Sequence, residues 1–370
     1  MKLTIIFKPT ERCNSNCAYC DVISKPLTPD MSDEMLELVF RRMGEFLALK
    51  PENKINLVWH GGEPLMLGPD YFRKALEIQT RHCGADSSRI RHKIQSNLTL
   101  FGEEFVEPLR ALGVKDIGTS FEPVPNVRGF GPGRDSAAYA GKFLDAVASL
   151  EKHGFGWNYI YVATKKSLPK AAELYYFLTN LSNARSVMVN PVIITGEDVH
   201  GLAITPGEFA DFLGEFFKLW WRGRDKFNHI QPFMEYVDMY TGVSLSRVCT
   251  TSGNCAYSHM YIGPDGSASH CGRAADCHIV SYGNIKDMSL NDVMDHELRR
   301  KFIGRDAVLK TGECKGCRFW EICHGDCPLG AYEVYGDSHH KYEWGCEFRK
   351  LFLEKYFEPV SGLRYEPKEH

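Results

Sequence analysis

Three cysteines stand close together near the start of the chain. Cys13, Cys17 and Cys20 occupy the stretch ERCNSNCAYC with C-x3-C-x2-C spacing. A structural metal site normally has four protein ligands, whereas a reactive metal centre keeps one position open. Three thiolates therefore predict either an open metal centre that binds a reactant or a zinc loop that a distant histidine completes.

Eight more cysteines lie in the last third of the chain, where their spacing is sharper. They are Cys249, Cys255, Cys271, Cys314, Cys317, Cys323, Cys327 and Cys346. Disulfides are disfavoured in a reducing compartment, so clustered cysteines indicate metal sites there. Cys83 and Cys277 stand apart from both groups. We interpret Cys83 as a packing residue and Cys277 as a buried, unreactive thiol, with a position facing the substrate as the alternative for Cys277. The layout predicts metal at both ends of a long scaffold.

The overall composition limits the class of protein. The 370 residues suit one large domain or a large and a small one, with 44% hydrophobic and 25% charged residues. A net charge of −3 gives no support for nucleic acid or an anionic membrane as the main partner. No apolar run approaches the ~18 residues of a membrane span, and the N-terminal apolar run is too short for a secretory signal. We therefore expect a cytoplasmic protein.

Hydrophobic periodicity predicts six strand–helix units in succession. The six strands are predicted in LTIIF, INLVWHGG, RHKIQSN, DIGTSFE, WNYIYVATK and SVMVNPVI. Amphipathic helices follow them, and Ser32 is predicted as the N-cap of the first helix. Thr205 and Pro206 are predicted as the N-cap and first residue of the sixth. This succession predicts a parallel sheet with helices outside it.

Polar or small residues follow the ends of all six predicted strands. In chain order they are the cysteine triad, Gly61-Gly62-Glu63-Pro64, Gln95-Ser96-Asn97, Ser120 with Glu122, Thr164, and Asn190-Pro191. In barrels of parallel strands the active site forms at the C-terminal ends of the strands. We therefore expect these residues to converge on one mouth, beside the cysteine triad.

The cysteine loop resembles the signature of the radical S-adenosylmethionine (SAM) enzymes. The cysteine spacing, Tyr19 before the last cysteine and the Gly-Gly-Glu-Pro motif carry this resemblance. It implies an α/β fold, a partial (β/α)6 TIM barrel, in which the triad holds three irons of a 4Fe-4S cluster and SAM binds the fourth. It also implies a 5′-deoxyadenosyl radical that removes hydrogen from the substrate. The zinc alternative leaves the convergence of the six strand ends unexplained.

The same resemblance implies which residues contact the cofactor. They are Tyr19, Gly61, Gly62, Glu63, Asn97, Ser120, Arg128 and Thr164. Relatives often carry Ser-x-Asp-Gly-Pro in the fourth unit, whereas this chain has SFEPVPNVRG, so Arg134 competes with Arg128 as the partner of the SAM carboxylate. Glu122, Tyr139 and Arg273 are candidates for proton transfer or substrate binding.

The C-terminal cysteines resemble the SPASM extension of peptide- and protein-modifying radical enzymes. This resemblance implies two auxiliary 4Fe-4S clusters, and so three clusters together with the SAM-binding one. One implied ligand set is Cys249, Cys255, Cys271 and Cys327, and the other is Cys314, Cys317, Cys323 and Cys346. A pair of zinc ribbons is the alternative. We expect a radical SAM barrel over residues 1–225 and a SPASM domain over residues 226–370.

These resemblances predict an enzyme that oxidatively modifies, and crosslinks, side chains of a ribosomally synthesised peptide. A formylglycine-generating sulfatase maturase or a small-molecule dehydrogenase is the first alternative, and a non-catalytic iron–sulfur or zinc protein is the second. In sulfatase maturases an aspartate directly follows the cysteine that matches Cys271, whereas this chain has Gly272 there and Asp276 later. The expected partners are a peptide or protein substrate and a low-potential electron donor such as flavodoxin or ferredoxin.

The expected recognition of a peptide leader has no dedicated segment in this sequence. The first strand begins at Leu3, which leaves no room for an N-terminal recognition domain. Leader recognition is expected to use the barrel, the 195–245 region or a separate protein. We interpret Phe233, Tyr236 and Tyr240 as the buried face of a helix rather than as a peptide channel. The histidines without metal-ligand spacing are interpreted as surface residues: His324, His339 and His340.

Overall fold

The computed structural model describes most of the chain as two compact units. The described residues are 1–22, 27–181, 184–224, 229–243, 249 and 255–366. The first unit comprises Met1–Asn158 and Ala256–Arg300, and the second comprises Tyr159–Cys255 and Lys301–His370. The predicted domain boundary between residues 225 and 226 lies outside the described residues.

The described residues form ten strands and fifteen α-helices. The strands are β1 (Lys2–Phe7), β2 (Lys54–Trp59), β3 (Ile90–Gln95), β4 (Asp116–Ser120), β5 (Gly156–Ala163), β6 (Val187–Pro191), β7 (Ile230–Gln231), β8 (His259–Ile262), β9 (Ser267–Ser269) and β10 (Gly283–Asn284). The helices are α1 (Asp33–Leu49), α2 (Pro69–Cys83), α3 (Val106–Ala111), α4 (Ser136–Lys152), α5 (Ala171–Thr179), α6 (Pro206–Gly223), α7 (Phe233–Thr241), α8 (Cys255–Ser258), α9 (Gly272–Asp276), α10 (Leu290–Met294), α11 (Glu297–Thr311), α12 (Trp320–Cys323), α13 (Pro328–Tyr335), α14 (Glu343–Phe352) and α15 (Glu358–Ser361). None of the described helices is both long and apolar enough to span a membrane.

The first unit contains a sheet in the order β10-β9-β8-β1-β2-β3-β4. Strands β1 to β4 are parallel neighbours in chain order, and Phe7 lies opposite Trp59 in this register. Strand β8 pairs parallel with β1, whereas β9 and β10 continue the sheet in antiparallel pairing. Successive parallel strands require crossover connections, which α1, α2 and α3 provide between β1 and β4.

The second unit continues the alternation of strands and helices. It contains β5 from Tyr159 onward, β6 and β7 in parallel pairing. Helix α6 packs closely against the C-terminal helices, because a Cβ on Gly214 would lie 2.4 Å from the ring of Tyr356. The regular succession of parallel strands and helices in both units confirms the predicted α/β fold of the partial-barrel type.

The predicted helix starts are confirmed by their caps. The side chain of Ser32 accepts a hydrogen bond from the amide of Met35 at 3.2 Å, at the start of α1. Thr205 and Glu208 form a reciprocal capping box at the start of α6, where Pro206 is the first residue. Such caps satisfy amides that have no partner inside the helix.

The aromatic residues at the start of α7 are buried. Phe233 is 0% exposed and Tyr236 is 1% exposed. The ring of Phe233 lies 5.1 Å from that of Phe217 on α6. These contacts confirm the buried helix face for Phe233 and Tyr236. Tyr240 is only half-buried, and its hydroxyl donates to Glu358 at 3.1 Å.

Strands β1 and β2 present two chemically different faces. The ring of Phe7 lies 5.0 Å from that of Trp59, which lies 5.1 Å from Phe72 of α2, so this row of side chains faces the helices. Successive side chains alternate between the two faces of a strand. The next residues along these strands, Lys8 and His60, therefore lie on the sheet face opposite the helices.

Candidate functional site

The cysteine triad lies in the loop that leaves β1. Cys17 is 8% exposed, and Cys13 and Cys20 are half-buried. Burial raises the pKa of Cys13 to about 11 and that of Cys17 to about 12, and repulsion from the neighbouring Cys20 thiolate adds to both shifts. The three sulfurs are therefore close enough to interact, and a shared cationic centre would stabilise their thiolate forms.

The Gly-Gly motif after β2 lies directly against this loop. Gly61 has a φ of +153°, and a Cβ there would lie 2.4 Å from the carbonyl oxygen of Thr10. A Cβ on Gly62 would lie 2.3 Å from the carbonyl oxygen of Arg12. The amide of Gly62 donates to the carbonyl of Thr10 at 3.1 Å. The absence of a Cβ permits this close backbone approach, so the motif fixes the position of the cysteine loop.

Glu63 and Asn97 connect the ends of β2 and β3 to the same loop. The buried carboxylate of Glu63 accepts hydrogen bonds from the Asn97 amide at 2.6 Å and the Ser96 hydroxyl at 2.8 Å. Burial raises the pKa of Glu63 to about 7. The side-chain amide of Asn97 donates to Asn14 at 2.8 Å and lies 3.9 Å from the sulfur of Cys13. The structure therefore brings these two predicted residues together beside the triad.

Four predicted site residues form one buried cluster. Arg128 donates from Nε to Glu122 at 2.6 Å, and from its other nitrogens to the hydroxyls of Tyr139, at 3.3 Å, and Tyr19. The side chains of Arg128 and Glu122 are 8% and 1% exposed. A desolvated ion pair of this kind depends on its partners for compensation. The predicted contact of Arg128 with the SAM carboxylate, and the predicted proton transfer by Glu122 and Tyr139, stay predictions.

The other predicted residues lie on three different elements. Ser120 ends β4 and accepts a hydrogen bond from the side chain of Gln95 at 3.2 Å. Thr164 follows β5 in the second unit, where its amide donates to the hydroxyl of Ser167 at 3.0 Å. Arg273 lies on α9 in the first unit. Their predicted roles toward SAM or substrate stay predictions.

Sequence reasoning missed a buried ion pair at the end of β1. Lys8 Nζ donates to both carboxylate oxygens of Asp276, at 2.6 and 2.7 Å, and the two side chains are 1% and 9% exposed. Burial lowers the pKa of neighbouring His60 to about 4, and the charge of Lys8 adds to this shift. A Cβ on Gly272 would lie 3.7 Å from Ile6, so α9 lies against this face of β1. The only sign of this ion pair in the sequence is a lysine directly after a predicted strand. Nothing near it in the sequence indicates that its partner is Asp276.

Four cysteines of the second unit surround one cavity. It holds about 330 Å³ of space that opens to solvent. Its lining residues are Cys314, Cys317, Phe319, Trp320, Cys323, Gly325, Cys346, Arg349 and Lys350. Burial raises the pKa of Cys314 to about 11, and repulsion from the other three thiolates adds to this shift. The structure therefore brings together one of the two predicted auxiliary ligand sets, and four thiolates are what a 4Fe-4S cluster requires.

The other predicted auxiliary set is divided between the two units. Cys271 precedes α9 in the first unit, whereas Cys249, Cys255 and Cys327 belong to the second. Residues 250–254, between two of these cysteines, lie outside the described residues. The assignment of these four cysteines to one cluster stays a prediction.

A buried arginine fixes the loops around the cysteine cavity. Arg305 is 2% exposed. It donates hydrogen bonds to the carbonyl oxygens of His324, Gly325, Asp326, Ser338 and His340. The first three follow Cys323 directly, and the last two precede Cys346. One guanidinium with five donors therefore holds both loops in place.

The interpretation of His324 as a surface residue is wrong. The side chain is largely buried, and its Nδ1 lies 2.7 Å from a carboxylate oxygen of Asp306. His324 follows α12 with a φ of +51°, and its ring lies 5.0 Å from that of Trp320. The left-handed turn at the end of α12 is therefore what brings the ring inward, and nothing in the local sequence indicated it.

Comparison with known families covers the cysteine triad and five of the eight C-terminal cysteines. Residues 7–166 match the Radical SAM superfamily, and residues 249–318 match the iron–sulfur cluster-binding domain SPASM. The chain is a radical SAM enzyme with a SPASM domain. These domains bind iron–sulfur clusters and SAM, which confirms the predicted class of cofactor.

Several characterised proteins are similar to this radical SAM enzyme over most of their length. The serine-type anaerobic sulfatase-maturating enzyme of Klebsiella aerogenes is 27% identical, over 88% of this chain and 79% of its own. The cysteine-type anaerobic sulfatase-maturating enzyme of Clostridium perfringens is 22% identical, over 96% of each chain. Among solved structures, native anSMEcpe with bound AdoMet and Kp18Cys peptide has a TM-score of 0.82 at 21% identity, over 98% of this chain and 99% of its own.

The residues of this enzyme suit the groups that its domains imply. The triad offers three neighbouring thiols in a loop that Gly61 and Gly62 allow to approach the end of β2. The second unit offers four thiols around one cavity. Iron–sulfur clusters are held by cysteine thiolates, and a cluster with three protein ligands keeps one iron open. Both donor sets therefore have the chemistry that their clusters need.

Proposed function

We propose that this radical SAM enzyme oxidises a serine or cysteine side chain of a peptide or protein substrate, in the manner of a sulfatase maturase. The observation that carries the proposal is the extent of the similarity to serine-type and cysteine-type sulfatase-maturating enzymes, which spans 88% and 96% of this chain. The similarity to a peptide-bound structure over almost the whole chain is consistent with it. The comparisons support this function better than the peptide crosslinking predicted from the sequence.

The proposed enzyme holds three 4Fe-4S clusters. The triad is assigned to the SAM-binding cluster, and the two C-terminal sets of four cysteines are assigned to the auxiliary clusters. When bound, these cofactors supply a hydrogen-abstracting radical and an acceptor for the electron that remains on the substrate. The chain itself must hold the substrate at the strand ends and exclude water from the reacting atoms. A flavodoxin or ferredoxin is proposed as the reductant.

The proposed oxidation needs a proton acceptor from the protein. The side chain loses one hydrogen atom from Cβ, one proton from its hydroxyl or thiol and one electron, which leaves a carbon–heteroatom double bond. Asp276 is the proposed acceptor, because its carboxylate lies with Lys8 on the face of β1 opposite the helices, beyond the strand end. Asp276 follows Cys271 by five positions rather than directly, and α9 brings its carboxylate to Lys8.

Peptide crosslinking is a second candidate function, favoured by one observation. Gly272 occupies the position directly after Cys271, where sulfatase maturases carry an aspartate. A crosslinking enzyme would also remove two hydrogens, but it would take one from each of two side chains and join them by a new bond. A separate leader-recognition protein is part of this second proposal.

One assay with matched peptides separates the two functions. The reconstituted enzyme is incubated anaerobically with SAM, dithionite and sulfatase peptides that differ only in having serine, cysteine or alanine at the site of modification. We expect an aldehyde, trapped by a hydrazine reagent and seen by mass spectrometry, on the serine or cysteine peptide and none on the alanine peptide. If these peptides stay unchanged while a peptide encoded beside the enzyme loses two hydrogens without forming an aldehyde, the maturase proposal is wrong and crosslinking replaces it.

A further inference from the structure

The cysteine cavity of the second unit contains a charged side chain that is not a metal ligand. Arg349 lines this cavity with Cys314, Cys317, Cys323 and Cys346. Its side chain is only 3% exposed. Placing a guanidinium in an interior costs free energy unless partners compensate it. The contacts of Arg349 therefore show which of its hydrogen-bond donors have partners and which do not.

Two of the three nitrogens of Arg349 have partners in the second unit. One terminal nitrogen donates to the carboxylate of Asp326, which is 4% exposed, and the other donates to the hydroxyl of Tyr236. The buried Nε has no hydrogen-bond partner within the described part of the chain. Buried donors in native proteins are nearly always satisfied. An acceptor for this N–H therefore belongs in the cavity.

The guanidinium lies beside the cysteine ligands. Arg349 lines the same cavity as Cys323 and Cys346, and its partner Asp326 follows Cys323 by three positions. Its positive charge is therefore placed where a cluster would bind. A bound cluster concentrates negative charge on its sulfurs, which are hydrogen-bond acceptors in their own right.

We propose that Arg349 donates its Nε–H to a sulfur of the auxiliary cluster bound by Cys314, Cys317, Cys323 and Cys346, and thereby raises the reduction potential of that cluster. The proposal rests on the assignment of this cluster under the proposed function. Hydrogen bonds to sulfur and nearby positive charge both stabilise the reduced, more negative cluster. Arg349 is then a positioning residue that acts on the electron-accepting cluster. Asp326 and Tyr236 hold its guanidinium in place.

A purely structural role for Arg349 is the competing explanation. Its ion pair with Asp326 alone could justify a buried arginine, in the way that Arg305 serves the neighbouring loops. The two explanations differ in one measurable property. A structural arginine affects whether the cluster is retained, whereas a tuning arginine changes the potential of a cluster that is retained.

The test measures the reduction potential of the cluster in full-length protein. The background carries Cys13→Ala, Cys17→Ala and Cys20→Ala, which removes the first cluster and leaves the auxiliary ones. The signal of interest is the one that Cys314→Ala with Cys317→Ala removes. Arg349→Gln is compared with Asp326→Asn/Arg349→Gln, which avoids a buried unpaired carboxylate. Lys355→Gln is the control, because it removes an exposed positive charge from the same unit at a position outside the cavity lining.

The reduction potential is measured by potentiometric titration with electron paramagnetic resonance detection. We expect both Arg349 variants to lower it by at least about 59 mV, which is a tenfold change in the equilibrium constant for one electron. Lys355→Gln should shift the potential by less than a third of that amount, because water screens its charge. An unchanged potential in an iron-loaded Arg349 variant overturns the proposal, and so does loss of this cluster alone from both Arg349 variants. If Cys314→Ala with Cys317→Ala loses no iron, the cluster assignment itself is wrong, which is a separate and distinguishable failure.

Discussion

His92 is a buried histidine whose neighbours hold it neutral. Trp59 donates its Nε1–H to His92 Nδ1 at 2.9 Å, so the ring proton lies on Nε2 and is donated to Gln79 at 2.7 Å. Burial lowers the pKa of His92 from 6.5 to about 4. The unfolded chain takes up this proton at higher pH than the folded protein does. The contribution of neutral His92 to the free energy of unfolding is therefore fully present above pH 6.5. It is lost as the pH drops toward about 4, which lowers the free energy of unfolding by up to about 3 kcal/mol.

The substitution His92→Gln should remove this part of the pH dependence. Urea unfolding at about pH 7 and about pH 5 measures the effect, because the window between them lies within the shifted range. His200→Gln, at an exposed loop position, is the control and should leave the difference between the two pH values as in the parent. If His92→Gln and the parent lose the same free energy of unfolding between these two pH values, protonation of His92 is not the cause of the pH dependence.

Asp276 provides a residue-scale test of the proposed proton transfer. Asp276→Asn keeps the size of the side chain but removes the basic carboxylate that Lys8 binds. Product formation should fall about a hundredfold or more, which is the usual contribution of a general base. Cleavage of SAM should continue, because the triad and the Gly-Gly motif are unchanged. Liquid chromatography of 5′-deoxyadenosine and peptide product from the same reaction measures both.

The control for Asp276 is Asp70→Asn on α2, which removes a carboxylate from an exposed ion pair with Arg73. It should leave both yields unchanged, since exposed pairs contribute little. Asp276→Glu should restore part of the activity, because it returns a carboxylate to the same region. Full product formation by a folded, iron-loaded Asp276→Asn variant would exclude this residue as the base.

Sequence alone predicted the residues whose chemistry is local and missed those whose partners are distant. Glu63 was recognisable because it belongs to a motif that directly follows a strand. The pair of Lys8 and Asp276 was not, since its members are 268 positions apart and meet because α9 lies against β1. Arg349 and Asp326 are likewise brought together only by the fold of the second unit. Burial of a charge depends on tertiary contacts that no local pattern encodes.

At the scale of elements, the end of β2 lies so close to the cysteine loop that a side chain added at Gly62 would displace the loop. A Cβ on Gly62 would lie 2.3 Å from the carbonyl oxygen of Arg12 and 2.4 Å from that of Glu11. Both atoms belong to the backbone, so they cannot move without displacing the loop that carries the triad. We expect Gly62→Ala to lose about four irons from a total of about twelve, as counted by colorimetric iron analysis, and to lose SAM cleavage.

The matched control for Gly62→Ala is Gly141→Ala in the middle of α4. Nothing lies within 4 Å of a Cβ at this position, and the residue is exposed. Alanine favours helix over glycine by up to about 1 kcal/mol, so this variant should keep all its iron and be equally or more stable. A Gly62→Ala protein with full iron content and full SAM cleavage would show that the loop tolerates displacement.

Strands and long helices were predictable because their signals are local. All six predicted strands are present, and the caps at Ser32 and Thr205 form as expected. Short turns were less predictable: 3-10 turns at Glu103–Phe105 and Leu168–Lys170 precede α3 and α5. In such turns the neighbouring packing decides the conformation, because few backbone hydrogen bonds are at stake.

At the scale of the whole molecule, the alternation of strands and helices predicted the fold class but not how distant segments combine. The first unit joins the N-terminal segment to Ala256–Arg300, and β8 extends its sheet beside β1. The residues of β8 are more than 250 positions from those of β1, with Ile262 opposite Phe7. Pairing at such separation depends on the complete sheet edge, for which a single sequence carries no marker. The cysteine spacings, in contrast, were informative because metal ligands are constrained by the geometry of the group they bind.

The three donor sets make separable contributions if the proposed function is right. Alanine at Cys13, Cys17 and Cys20 should leave about eight of about twelve irons and abolish SAM cleavage, because the open iron is lost. Alanine at Cys314 and Cys317 should also leave about eight irons. This second variant should still cleave SAM but form much less product per molecule cleaved, because the substrate radical has lost its electron acceptor.

The ratio of product to 5′-deoxyadenosine is therefore the decisive measurement, made beside iron content and circular dichroism so that unfolding is recognised. Cys83→Ala is the matched control, since this thiol is buried against the carbonyl of Phe40, outside both groups of cysteines, and should leave the ratio unchanged. The variant with Cys314 and Cys317 replaced could be folded, lack about four irons and still keep the parental ratio. That result would show that this cluster supports the fold without accepting electrons. Retained SAM cleavage after replacement of the triad would instead contradict the assignment of the open cluster to the loop after β1, and with it the placement of the reaction at the strand ends of the first unit.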